Sequence, residues 1–150
     1  VQTFSKSRNM AGARIGYAIS TKEIIEDMNK IKFTFNPFNM SSLAITAGTA
    51  AVKDTEYLKK CVETTIETRK YFETEAEKLG FLIFPTTTNF TFMKHPKLDA
   101  EKLTKELKER GILVRHYKEE RIRSYIRVTI GSREEMQQVI KELKEIIEKM

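Results

Sequence analysis

Thr3-Phe4-Ser5-Lys6-Ser7-Arg8-Asn9-Met10-Ala11-Gly12-Ala13-Arg14-Ile15-Gly16-Tyr17 sets a lysine beside two hydroxyls, with an arginine eight residues on and a glycine to either side of it. A lysine amine condenses with aldehydes, and an aldehyde that also bears a phosphate calls for hydroxyl and guanidinium donors nearby. Taken singly, each residue has a plain reading. Lys6 is one of many solvated lysines, Arg14 a surface arginine in a glycine-rich turn, and Thr3 and Ser5 are strand and loop residues. The two glycines beside a base would cradle any anion. The joint pattern T-x-S-K-x7-R-x-G-Y outweighs these separate readings.

Working outward, Val1–Phe4 reads as a short extended run ending at the lysine turn, and Ala13–Ile19 alternates around Gly16 as a second strand. Thr21 is a candidate N-cap for a helix with Ile24, Ile25, Met28 and Ile31 at helical spacing. Phe33–Met40 is expected to be a loop, because Pro37 disfavours helix at Asn36. Ser41 or Ser42 should cap one long helix that ends at Gly80. Its first part is small (Ala44, Ala47, Ala50, Ala51) and its second carries Leu58, Cys61, Val62, Thr65, Arg69, Phe72, Ala76 and Leu79 at three- and four-residue steps. The change of character near Asp54 suggests passage from one domain to another.

Beyond Gly80 the pattern is a compact α/β unit. Strands are predicted at Phe81–Phe84, Asn89–Met93, Ile112–Tyr117 and Tyr125–Ile130, with a break at Pro85–Thr88. Asp99 caps a helix with Ala100, Leu103 and Leu107 inward, and Ser132-Arg133-Glu134-Glu135 is a capping box for a helix with Met136, Val139, Ile140, Leu143, Ile146 and Ile147 on one face. In the strand Tyr125–Ile130, alternation puts Ile126, Val128 and Ile130 toward the helices and Tyr125, Arg127 and Thr129 on the other face. Arg127 there is either solvated or pointed at a ligand. Leu113, Arg115 and Tyr117 share one strand face by the same rule, and Asn89 and Thr91 another.

Composition narrows the classes. The chain has 150 residues and 40% hydrophobic content, which suits one domain or a small domain plus part of another and argues against global disorder. No run of eighteen apolar residues and no leader-like start is present, so a soluble, cytoplasmic protein is expected. One cysteine forms no internal disulfide, and no Cys/His cluster suggests zinc. Cys61 falls on an apolar stripe and reads as core. The net charge of +6 would suit nucleic acid, but the lysines are interspersed with glutamates on helix faces, as in Lys141-Glu142-Leu143-Lys144-Glu145. Asn89-Phe90-Thr91-Phe92 lacks the basic-glycine element of an RNA-recognition strand. His95, before Pro96, and His116, on the apolar side with Ile112 and Val114, read as structural or exposed, and Tyr17 as a packing residue.

The lysine segment resembles that of the fold-type-I pyridoxal-phosphate aminotransferases, most closely the histidinol-phosphate aminotransferases. Thr88-Asn89-Phe90 is similar to their S/T-x-N-F/Y strand, Gly111-Ile112-Leu113-Val114-Arg115 to their G-I-x-V/L-R strand, and Tyr125-Ile126-Arg127-Val128-Thr129-Ile130-Gly131-Ser132 to their L-R-I-T-V/I-G-T strand. Order and spacing agree from about residue 3 to residue 147. Ser7-Arg8-Asn9 departs from the small and aromatic residues usual at that place.

The resemblance implies an α/β architecture in which residues 1–52 end a large cofactor-binding domain. A long helix would join them to residues 53–150, a small domain whose mainly antiparallel sheet is covered by helices. It implies pyridoxal 5'-phosphate as cofactor, carried by Lys6, with Thr3, Ser5 and Arg14 on its phosphate. Arg127 would hold the substrate's anionic end, assisted by Arg115 when that end is a phosphate, with Asn89 also lining the substrate site. Lys6, once released, would shuttle the proton at the substrate's α-carbon. The implied reaction takes histidinol phosphate and 2-oxoglutarate to imidazole-acetol phosphate and glutamate in histidine biosynthesis. The implied assembly is a homodimer binding a small-molecule amino donor and a 2-oxo acid, without nucleic acid, membrane or metal.

The chain begins at Val1, in what reads as an interior strand, and looks like a C-terminal piece of a longer polypeptide. The family's partner for the pyridine nitrogen, its ring-stacking aromatic and its Gly-rich phosphate turn precede the lysine, so the piece alone is expected to be inactive. Two rivals stay open. One is a sister enzyme of the same fold, an aromatic aminotransferase or a phosphothreonine decarboxylase. The other is a non-enzymatic basic α/β nucleic-acid-binding module.

Overall fold

The structure is a computed structural model and describes residues 1–149. It divides into two compact units, Val1–Val62 and Glu63–Met150.

In the first unit, β1 (Gln2–Thr3) and β2 (Gly16–Tyr17) form a two-stranded antiparallel ribbon, with Gln2 opposite Tyr17 and Thr3 opposite Gly16. Both are shorter than the alternation predicts. Thr3 ends β1 because its side chain accepts from the Ser5 amide and so starts a one-turn helix, α1 (Phe4–Ser7). Glycine is required at position 16, since a Cβ there would lie 2.8 Å from the Gln2 carbonyl oxygen. Phe4 and Ile15, both buried, pack against Gly48 of α3 (Ser42–Lys53).

The helix α2 (Lys22–Phe35) runs three residues, Phe33, Thr34 and Phe35, into the predicted loop. The proline acts only on its immediate neighbour: Asn36 is extended at φ −156° and stops the helix there. No residue of α2 is buried within this unit.

The predicted single long helix is broken. Asp54 ends α3 at φ −82°, ψ 78°, and its Oδ1 accepts from the Tyr57 amide at 3.0 Å, opening α4 (Thr55–Lys78). An aspartate able to cap the next helix competes with continuation of the first.

The second unit is built around a four-stranded antiparallel sheet in the order β3 (Leu82–Phe84), β4 (Phe90–Lys94), β6 (Ile126–Thr129), β5 (Arg115–His116). On one face lie the later turns of α4, α5 (Ala100–Glu109) and α6 (Arg133–Glu148). They enclose Phe72, Met93, Leu107, Ile126, Val128 and Leu143, all at most 2% exposed. The predicted caps are present: Asp99 accepts from the Lys102 amide at 2.9 Å, and Ser132 and Glu135 form a reciprocal capping box. Gly80 and Gly111, at φ 89° and 82°, end α4 and α5 in the left-handed conformation that favours glycine. An ion cluster joins the last two helices, with Arg110 Nη1 2.6 Å from Glu142 and 3.2 Å from Glu145. Its hydrogen bonds hold the Glu142 carboxyl below the usual carboxylate range and the Arg110 guanidinium above its own.

Among the described residues, no helix is long and apolar enough to cross a membrane. No group of three His, Cys, Asp or Glu among them is placed to hold a metal ion.

Candidate active site

In the first unit the ribbon register brings the two ends of the opening motif together. Phe4 donates its amide to the Ile15 carbonyl at 3.0 Å, so Ser5 and Lys6 leave one strand at the end where Arg14 enters the other. Thr3 Oγ1 accepts from the Ser5 amide at 3.1 Å and donates to Ser5 Oγ at 2.9 Å. That arrangement spends the Thr3 proton and leaves the Ser5 hydroxyl proton free for an external acceptor.

Lys6 is exposed on the single turn of α1. Arg14 is exposed too and sits at φ 54°, a left-handed backbone that costs a non-glycine residue energy and clusters at functional positions. One of its nitrogens reaches the Ala11 carbonyl at 3.2 Å, and the remaining donors of the fork are left for an anion. An amine, a free hydroxyl donor and a guanidinium at one end of a ribbon are the donor set that an aldehyde bearing a phosphate requires.

The turn behind Lys6 is anchored by the three residues that break the usual pattern. Ser7 donates to the Thr3 carbonyl at 3.0 Å, and Arg8 donates to the Ala51 carbonyl at 2.9 Å near the C-terminal end of α3. Asn9 takes φ 56°, which its short side chain tolerates, and reaches Cys61 Sγ at 3.7 Å. Cys61 is therefore not core. It is half-buried and lines a cleft of about 220 Å³ with Arg8, Asn9, Asp54 and Tyr57. The Tyr57 phenol is pushed above its ordinary range, chiefly by hydrogen bonding to Cys61.

In the second unit, register settles which predicted faces coincide. Phe84, Phe92, Arg127 and Arg115 lie directly opposite one another across the four strands, on the face away from the helices. Thr91 does not join them. It points into the core, wholly buried, and its hydroxyl donates to Glu73 Oε1 at 3.0 Å. The polar face expected for Asn89 and Thr91 is thus replaced by Phe90 and Phe92. Asn89 is half-buried, and its carbonyl accepts from the Ile130 amide at 2.9 Å. His116 is half-buried beside Ile126, its Nε2 2.7 Å from the Arg123 carbonyl, as suits a structural histidine.

Arg127 is half-buried, with its guanidinium carbon 4.7 Å from the centre of the Phe90 ring. Its Nε is buried and has no hydrogen-bond partner. Arg115, directly opposite, is exposed over Tyr117 at 5.6 Å. Like charges facing across a strand pair repel, and among the described residues no carboxylate bridges these two. Phe92 stacks on Tyr125 at 4.5 Å beside them. Phe90, whose ring lies against the guanidinium, was read from the sequence only as a strand aromatic. An aromatic one residue after an asparagine says nothing about which arginine will lie over it.

Residues 1–143 match the family described as aminotransferase class I and II. The chain belongs to that family. It is 43% identical over all 150 residues to a histidinol-phosphate aminotransferase of Clostridium botulinum, and it spans 42% of that relative's length. The histidinol-phosphate aminotransferase structure from Clostridium acetobutylicum superposes with TM-score 0.88 at 28% identity, covering 98% of this chain and 45% of that one. The histidinol-phosphate aminotransferase from Sinorhizobium meliloti, solved in complex with pyridoxal-5'-phosphate, is 31% identical with TM-score 0.86, covering 98% of this chain and 40% of that one. The mixed α/β architecture with antiparallel sheets is thus that of aminotransferase structures, as the opening motif implies.

Proposed function

We propose that the protein carrying this chain is a pyridoxal-phosphate-dependent aminotransferase that moves the amino group of histidinol phosphate to 2-oxoglutarate. The observation that carries the reading is the pair Arg127 and Arg115, two guanidiniums in register without a carboxylate between them. A dianionic phosphate takes more than one cation, whereas an α-carboxylate is held by one bidentate arginine. The 43% identity to a relative named for this substrate supports it.

In this reading Lys6 carries the cofactor, the Ser5 hydroxyl and the Arg14 fork hold its phosphate, and Thr3 orients Ser5. When bound, the cofactor withdraws electrons from the substrate's α-carbon, which makes the proton there removable. The Lys6 amine, freed by the incoming substrate amine, would take that proton from the α-carbon and pass it to the cofactor rather than back to that carbon. Arg127 fixes the substrate's anionic end, Arg115 completes the charge on a phosphate, and Asn89 lines the same site. The exposed Ile31, Phe33, Phe35 and Phe38 of the first unit support burial against further protein, and a homodimer belongs to the same proposal.

The test is the ratio of kcat/KM for histidinol phosphate over glutamate. Arg127→Lys keeps the charge but loses the fork, with an expected cost of about 2–4 kcal/mol of transition-state binding. Arg115→Ala should lower the ratio sharply. An unchanged ratio would remove the phosphate role and favour an aromatic or other α-amino-acid transaminase.

A further inference from the structure

Arg69 sits on the inward stripe of α4 with its side chain only 11% exposed. Buried arginines are rare unless fully paired, and this one is not. Its Nε is buried without a hydrogen-bond partner, and the nearest carboxylate oxygen, Glu73 Oε1, is 4.0 Å away. Glu73 Oε1 in turn accepts from the Thr91 hydroxyl. Arg69 instead donates from Nη1 to the Thr88 carbonyl, in the bend just before β4.

That bend leads to the guanidinium of Arg127 in a short series of contacts. The Thr86 hydroxyl accepts from the Thr88 amide at 3.1 Å and lies 2.8 Å from the Thr88 hydroxyl. The Thr88 hydroxyl donates to the Phe90 carbonyl at 3.1 Å and accepts from the Phe90 amide at 3.3 Å, so it grips Phe90 on both sides. The Phe90 ring is the surface on which the Arg127 guanidinium lies. Phe90 also pairs with Thr129 in the strand of Arg127, and Asn89 accepts from Ile130, so the bend and β6 share one register. A ring face fixes the plane of a guanidinium, and the plane decides where a bidentate fork points.

We propose that Arg69 is a positioning residue for Arg127, acting through Thr88 and Phe90, and that it thereby sets the affinity for the substrate's anionic group. The inference rests on the proposed role of Arg127. It gives a use to a strongly basic, half-buried side chain with one nitrogen unpaired: α4 reaches from the edge of the core to hold the bend that presents the ring.

The test uses the full-length protein and two independent readouts. The buried Arg127 Nε–H is shielded from water, so its exchange with solvent is measurable by NMR without any substrate. Arg69→Met removes the bond to Thr88 at similar length. Thr88→Val leaves the Arg69 bond to the Thr88 carbonyl in place and releases only Phe90, so it reads the second link, and Arg69→Gln, shorter than arginine, serves for the first link if Arg69→Met folds poorly. Each is expected to speed Arg127 Nε–H exchange about tenfold and to raise KM for histidinol phosphate about tenfold, with kcat changed less than about twofold. Arg69→Lys should recover most of both effects, and either variant combined with Phe90→Leu should be no worse than Phe90→Leu alone, because the contacts act in series. Unchanged Nε–H exchange, or faster exchange spread evenly over the amides of α5 and α6, overturns the inference. Faster Nε–H exchange with an unmoved KM instead upholds the link to Arg127 and overturns the role proposed for that arginine.

Discussion

The two units bury their apolar residues very differently. Within Val1–Val62 only Phe4, Ile15 and Gly48 are buried, and Ile31, Phe33, Phe35 and Phe38 are between 61% and 93% exposed. Glu63–Met150 encloses a continuous core from Phe72 to Ile146 between one sheet face and three helices. The proposed cofactor lysine lies in the first and the paired arginines in the second. The amine proposed to carry the cofactor thus sits on a one-turn helix in a unit that leaves most of its apolar residues exposed, whereas the face proposed to bind the anion lies on a sheet whose other face is a continuous buried core. Apolar area removed from water is the main stabilising contribution, so the units should differ in stability in the same sense.

The strongest way to break this contrast is a pair of truncations in the 150-residue chain. Phe72→Ala, at a fully buried site, should cost about 3–5 kcal/mol, and Phe35→Ala, 83% exposed, less than about 0.5 kcal/mol, read from denaturant midpoints. Equal costs would mean that the first unit has a core of its own. Limited proteolysis probes the same difference without mutation: cleavage should come first before about residue 54, and equal protection of both units would count against it.

Helix caps sharpen the comparison at smaller amplitude. Ser132 at the start of α6 makes a full capping box, while Thr21 at the start of α2 makes no side-chain cap bond. Ser132→Ala should cost about 1 kcal/mol and Thr21→Ala should stay within about 0.5 kcal/mol by thermal unfolding.

The smallest expected effect is a pH dependence confined to the second unit. Arg110 lowers the folded pKa of Glu142, so the stabilisation is present above the unfolded glutamate value of about 4.3 and is lost as pH falls through the lower folded value. Glu142→Gln should flatten that acid limb of the unfolding midpoint. An unaltered limb would show that the Arg110 cluster does not link α5 to α6 energetically.

Much of this molecule was legible in order. Helix starts at Ser41, Asp99 and Ser132, stops at Gly80 and Gly111, and the alternation of Ile126 and Val128 follow from local rules, because a cap, a left-handed glycine and a strand period are properties of a few adjacent residues. The two short strands that flank Lys6 and Arg14 were equally readable, though their pairing was not.

What tertiary structure alone decided involves partners distant in sequence. Thr91 turns inward because Glu73, eighteen residues earlier, can accept its proton. Arg69 looked like one more member of a stripe until the Thr88 carbonyl was placed beside it. The register that sets Arg115 opposite Arg127 and Phe90 beneath its guanidinium is fixed by burial of the opposite sheet face, where a slip of one residue would expose Ile126 and Val128 to water. Local chemistry is written in neighbouring residues, but which side chains face one another is decided by the core that holds the strands in register.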